Sequence, residues 1–201
     1  MITTIFFDLG NVLIDFSHTQ LAHNISKISR LNPSQAAELL SSFSSWDLYE
    51  LGLISTQEFY LAFKKHFQLD CDDASIAWAC CDIFSPNQGS LDLLTRCHLR
   101  DFKLGLISNT SHLHFEYLKK TFPIFHLFDT KVLSYELKIK KPNIEIFHHA
   151  LCSIASPPEA CVFIDDIAFH VEAAKACGIQ GIVFKNASLL EKEFSVLGIH
   201  L

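Results

Sequence analysis

The chain has 201 residues, 49% of them hydrophobic, with a mean hydropathy of +0.24. That length suits one large domain, or a core domain carrying a smaller insertion. Eighteen Phe against 7 Gly and 6 Pro exclude a disordered or low-complexity chain. The net charge of −6, with basic residues scattered apart from the short cluster Lys138 to Lys141, leaves no nucleic-acid footprint.

Met1-Ile2-Thr3-Thr4 has no basic n-region and runs directly into an apolar stretch, so it does not read as a signal peptide. No apolar run approaches the roughly 20 residues of a membrane span. Seven cysteines form an odd set without a paired CxxC pattern, which suits reduced thiols in a cytoplasmic protein. Ile5-Phe6-Phe7 then run into Asp8-Leu9-Gly10-Asn11, a buried strand that ends by delivering Asp8 to a tight turn. An ionised Asp buried without a partner costs several kcal/mol. Asp8 therefore either meets a cation, a metal or helix amides, or caps the next turn.

From about Phe16 to Phe84 the pattern is helical. Asn32-Pro33-Ser34-Gln35 has the form of a helix cap with Pro at the first helical position, and Ser55-Thr56-Gln57-Glu58 is a capping box. A further helix starts near Asp72 and runs through Trp78 towards Phe84, where Ser85-Pro86-Asn87 stops it. From Gly89 strands and helices alternate. Helix Ser90 to Leu99 leads to strand Lys103 to Ile107, then Ser108-Asn109-Thr110 and a helix through Lys120. Strand Thr130 to Leu133 precedes Lys140-Lys141-Pro142 and a helix through Leu151; strand Cys161 to Ile164 ends in Asp165-Asp166 and a helix to Cys177; Gly181 to Phe184 is a fifth strand. The alternation predicts an α/β fold with a doubly wound parallel, Rossmann-like sheet, in which ligands bind beyond the carboxyl ends of the strands.

At those ends stand Asp8, Ser108 with Asn109, Lys141, and Asp165 with Asp166. Each alone has a plain reading as a helix cap or a solvated charge. Together they put a nucleophilic carboxylate, a hydroxyl, a cation and an acidic pair on one rim of one sheet. In this order and spacing they resemble the four motifs of the haloacid dehalogenase-like hydrolase superfamily, over the whole chain. The Asp8-Leu9-Gly10-Asn11-Val12 form of the first motif is similar to the branch of bacterial α-D-glucose-1-phosphate phosphatases.

The resemblance implies a hydrolase core of residues 1–16 and 85–201 and an inserted helical cap of residues 17–84. It also implies a phosphatase acting on a small phosphorylated metabolite, such as a sugar phosphate, with no nucleic-acid or membrane partner. Asp8 would attack phosphorus to give an aspartyl-phosphate that water hydrolyses. Asp8, the Gly10 carbonyl, Asp165 and Asp166 would hold Mg²⁺, a hard cation suited to oxygen ligands. Ser108 and Lys141 would complete the catalytic set and, with Asn109, bind the substrate.

Two positions depart from the family pattern. Gly10 stands where most phosphatases of the superfamily carry a second Asp as general acid and base, so Asp15, His18, Asp47 and Glu50 become candidate proton donors. Ile167 and His170 stand where the branch commonly has Asn; Ile167 cannot bond a metal or its water shell, and His170, early on a helix, could orient a carboxylate but reads rather as a surface or half-buried histidine. His112 with His114, and His148 with His149, lack metal-ligand spacing. The competing readings are a metal-independent 2-haloacid dehalogenase, against which the acidic pair argues, and a binding or regulatory protein that has lost turnover. Oligomeric state has no signature in the sequence.

Overall fold

A computed structural model describes all 201 residues. The apolar, β-rich run Thr4–Phe7 forms strand β1, with all four residues buried. A short strand β2, Ile14–Phe16, follows the turn after β1. Five helices come next: α1 (His18–Ile28), α2 (Pro33–Ser41), α3 (Ser45–Glu50), α4 (Thr56–Phe67) and α5 (Asp73–Cys81). Strand β3, Phe84–Pro86, then pairs antiparallel with β2, Phe16 opposite Phe84. Ser85 and Pro86 thus belong to a two-stranded ribbon and do not merely stop a helix. Their pairing partner lies about 70 residues upstream, so no local pattern marks them. Pro86 is tolerated because a two-stranded ribbon is all edge.

The rest of the chain alternates: α6 (Gln88–Leu99), β4 (Lys103–Ser108), α7 (His112–Thr121), β5 (Thr130–Leu133), α8 (Ser134–Leu137), α9 (Ile144–Ile154), β6 (Cys161–Asp165), α10 (Ala168–Ala176), β7 (Gln180–Val183) and α11 (Ala187–Val196). The final helix was not expected from the sequence; its N-cap Asn186 accepts from the Leu189 amide and is the local signal for it. The strands form one parallel sheet in the order β5-β4-β1-β6-β7, the predicted α/β architecture. Side chains alternate across it. Ile5 and Phe7 join a cluster of 24 buried residues that includes Leu94 of α6, Phe115 of α7 and Phe194 of α11. Phe6 faces the opposite way, into 11 buried residues with Phe147 of α9 and Ala174 of α10. With both faces covered, a near-continuous apolar run is what each central strand requires.

Helices α1 to α5 pack around a separate cluster of 12 buried residues. Phe59, Phe63 and Phe67 recur every four residues along α4 and form its inner stripe, joined by Phe43 and Tyr49. Both predicted caps are present: Asn32 with Gln35, and Ser55 with Glu58, close reciprocal capping boxes. The helical unit meets the sheet through specific contacts. Tyr49 Oη accepts from the Leu113 amide at 3.0 Å, Ser134 Oγ donates to the Glu50 carbonyl at 2.7 Å, and Lys140 Nζ lies 2.6 Å from Asp47 Oδ1. At Gly52, where φ is +61°, an added Cβ would stand 2.0 Å from the Tyr135 carbonyl oxygen, so only glycine permits the unit to sit this close.

Candidate active site

β1 lies between β4 and β6, and the register that pairs Phe7 with both Leu106 and Ile164 brings Asp8 level with the ends of both neighbours. The chain continues to β4 and β5 on one side of β1 and to β6 and β7 on the other, so a crevice opens at the carboxyl end of β1. Asp8 is 8% exposed at its floor.

Lys141 is buried and reaches into this floor from the loop before α9. Its Nζ lies 2.7 Å from Asp8 Oδ1 and 2.7 Å from Asp165 Oδ2, and it donates to the Ile107 carbonyl at 2.9 Å. An ammonium has three N–H groups, and all three are engaged. Its backbone is held by Asn109, whose Oδ1 accepts from the Lys141 amide at 2.8 Å and whose Nδ2 donates to the Lys141 carbonyl at 3.0 Å. Asn109 thus lines the cavity and also clamps the loop that carries the lysine.

Asp165 is fully buried at the end of β6. Its Oδ1 accepts from the Ile167 amide at 2.8 Å, and His170 Nδ1 lies 3.1 Å from each of its oxygens. His170 is therefore not a surface histidine. One turn into α10, it folds back on the preceding strand end, a contact that spacing alone does not show. Asp166 is half-buried and accepts from Asn11 Nδ2 at 3.3 Å, Asn11 itself turning the chain with φ of 54°. Carboxylate oxygens of Asp8, Asp165 and Asp166 lie within 4.8 Å of one another.

Charge explains the protonation of this cluster. Burial pushes the Asp8 carboxyl up to about 6, against the opposing pull of Lys141. Burial acts the same way on Asp165, but His170, Lys141 and the Ile167 amide together hold it below the usual carboxylate range. Burial disfavours the Lys141 ammonium, yet the two carboxylates outweigh it and hold the amine above its ordinary value. Three carboxylates against one ammonium leave surplus negative charge, and an all-oxygen donor set of this kind fits a hard divalent cation.

Ser108 is buried at the end of β4 and lines the cavity beside Gly10 and Asn109. A Cβ at position 10 would stand 3.0 Å from Phe16 Cε1, so the ring of β2 takes up room that a side chain there would need. Of the candidate proton donors, His18, Asp47 and Glu50 line the cavity, whereas Asp15 is not in its wall and sits 3.4 Å from Asn87 Nδ2 in the ribbon. Burial raises the Glu50 carboxyl, with Lys140 opposing. His114, which the sequence reading set aside, is another cavity residue: its Nε2 bonds the Cys80 carbonyl at 3.1 Å, and burial lowers its pKa to about 4. Its position in the first turn of the helix after Ser108 was the available signal.

Among solved structures, a magnesium and inorganic phosphate complex of a haloacid dehalogenase family enzyme from Bacteroides thetaiotaomicron superposes with a TM-score of 0.84 at 27% identity, covering 92% of this chain and 96% of that one. L-2-haloacid dehalogenase from Xanthobacter autotrophicus shares the fold, with a TM-score of 0.63 at 18% identity over all of this chain and 85% of that one. Among curated relatives, drimenol cyclase drtB of Aspergillus calidoustus is 25% identical over 97% of this chain and 36% of its own length. Chloroplast flavin mononucleotide hydrolase 1 of Arabidopsis thaliana is 36% identical over 31% of this chain and 25% of its own length. The chain thus aligns with only about a quarter to a third of the curated relatives it matches. The sequence model described as haloacid dehalogenase-like hydrolase matches residues 2–178, and this chain belongs to that family.

Proposed function

We propose that the chain is a Mg²⁺-dependent phosphatase of a small phosphorylated metabolite, working through an aspartyl-phosphate on Asp8. The observation that carries this reading is the buried Asp8–Lys141–Asp165 chain, with both contacts at 2.7 Å and Asp166 beside it. Asp8 would attack phosphorus in line; the new P–O bond forms as the ester P–O bond breaks, the alcohol leaving with a proton from one of the cavity donors His18, Asp47 or Glu50, and water then hydrolyses the acyl phosphate to free phosphate and the carboxylate. Asp8, Asp165, Asp166 and the Gly10 carbonyl would hold Mg²⁺, whose positive charge would let a carboxylate approach a phosphate dianion.

Lys141 keeps one Asp8 oxygen hydrogen-bonded and turned from the substrate, leaving the other to react; its full charge acts on the phosphoryl group through space. Ser108, with the amides after it, holds a phosphoryl oxygen, and Asn109 binds at the same edge while fixing the lysine loop. The helical unit of residues 17–84 serves as the cap that closes over the organic part of the substrate. The likeness of Asp8-Leu9-Gly10-Asn11-Val12 to glucose-1-phosphate phosphatases names a sugar phosphate as one such metabolite. All seven cysteines are free thiols, which suits a cytoplasmic setting.

The test is phosphate release from acetyl phosphate and from phosphomonoesters with Mg²⁺ or with EDTA. Mg²⁺-dependent release, lost by a factor of about 10³ or more in Asp8→Asn, is expected. Halide release from 2-haloacids without metal would select dehalogenase chemistry instead. Absence of both would leave a binding protein.

A further inference from the structure

A cavity of about 770 Å³ opens above Gly10 and Ser108, between the helical unit and the sheet. Its size is that of a pocket for a whole organic molecule and far exceeds a phosphoryl group. Eleven of its 23 lining residues are hydrophobic, among them Leu21, Leu40, Trp46, Ile83, Phe84 and Leu118, and apolar surface predominates in the wall.

The polar groups of the inner wall are largely taken. Asn109 uses both ends of its amide on the Lys141 backbone. His114 bonds the Cys80 carbonyl through Nε2 and packs edge-on against Phe84, ring centroids 5.0 Å apart. Glu50 faces Lys140 at 3.9 Å, and Asp47, whose side chain is largely exposed, lies 2.6 Å from the same lysine. Of the remaining polar side chains, Ser108 and Thr110 are buried, Ser108 being the one assigned to the phosphoryl group, and His18, Thr19, Ser34 and Ser41 are exposed to solvent. A sugar ring enclosed here would give up water at each hydroxyl and find few free partners on the buried part of the wall. A hydrocarbon body loses nothing and gains by burial.

We infer that the cavity takes the alcohol half of a phosphomonoester as an apolar body, a hydrocarbon chain or ring, and not as the sugar that the first-motif likeness suggests. This inference rests on the phosphatase reading and names its substrate class. The phosphoryl group lies at Asp8 and Ser108, and the apolar body extends past Phe84 and Leu118 towards Trp46 and Leu40.

The experiment measures kcat/KM for phosphate release by the full chain with Mg²⁺ on ethyl, butyl, hexyl and octyl phosphate, with glucose 1-phosphate and acetyl phosphate alongside. A fully buried methylene contributes about 0.8 kcal/mol, or about fourfold. Lengthening butyl to octyl phosphate should therefore raise kcat/KM by roughly tenfold or more, above the value for glucose 1-phosphate. Leu40→Glu, which places a charge in the wall, should bring the octyl-to-butyl ratio close to one. Calorimetric binding of octyl phosphate and glucose 1-phosphate to Asp8→Asn reads the same preference without turnover. A flat chain-length profile, or tighter binding and faster turnover of glucose 1-phosphate, overturns the inference while acetyl phosphate hydrolysis leaves the phosphatase reading standing. Failure to release phosphate from any compound, acetyl phosphate included, overturns that reading and this inference with it.

Discussion

Lys141 sits where two buried carboxylates would otherwise repel each other, and its three donors are committed to Asp8, Asp165 and the Ile107 carbonyl. Its reach is set by Asn109, so one amide side chain positions the cation between the two carboxylates. Asp8, raised by burial to about 6, takes up a proton as pH falls through that value, and the proton competes with a divalent cation for the same oxygens. Mg²⁺ affinity measured by calorimetry should accordingly fall roughly tenfold between about pH 7 and about pH 5. His170 Nδ1 lies 3.1 Å from both Asp165 oxygens and holds that carboxylate from the first turn of α10. His170→Leu should weaken Mg²⁺ binding by about tenfold or more, and His170→Asn should recover part of that loss in the same titration.

At the scale of elements, the helical unit depends on its aromatic stripe and on close approach to the sheet. Phe63 is fully buried among Phe43, Phe59 and Phe67. Phe63→Ala should cost about 3–5 kcal/mol in urea unfolding of the unit, the usual range for removing a buried ring. Gly52 meets the Tyr135 carbonyl with no room for a methyl, and its φ of +61° disfavours any side chain. Gly52→Ala should lift α3 from α8, loosening the contacts of Tyr49 with Leu113 and of Glu50 with Ser134. A lower Tm, together with a raised KM for substrates that fill the cavity, is the expected pair of readouts. The two capping boxes were legible in the sequence because each involves residues three apart. The ribbon of β2 and β3 was not, since three-residue strands carry no periodicity and draw their hydrogen bonds from a distant partner.

In the whole molecule, one parallel sheet gathers the ends of β1, β4 and β6 and stands the helical unit over them. No helix is long and apolar enough to cross a membrane. The sequence by itself determined the alternation of strands and helices, and with it the α/β sheet. It also marked Asp8, Ser108, Asn109, Lys141, Asp165 and Asp166 as residues at strand or loop ends, because strand pattern, caps and turn chemistry act over a few neighbouring residues. Only the tertiary structure decided that Lys141 uses every donor on buried carboxylates and a carbonyl. The same holds for His170 and Asn109 as supports for Asp165 and Lys141, and for Phe16 filling the room beside Gly10. These are contacts between residues 5 to 133 positions apart in the chain, from His170 with Asp165 to Lys141 with Asp8. They follow from strand order, register and the burial of charge, none of which a local pattern carries.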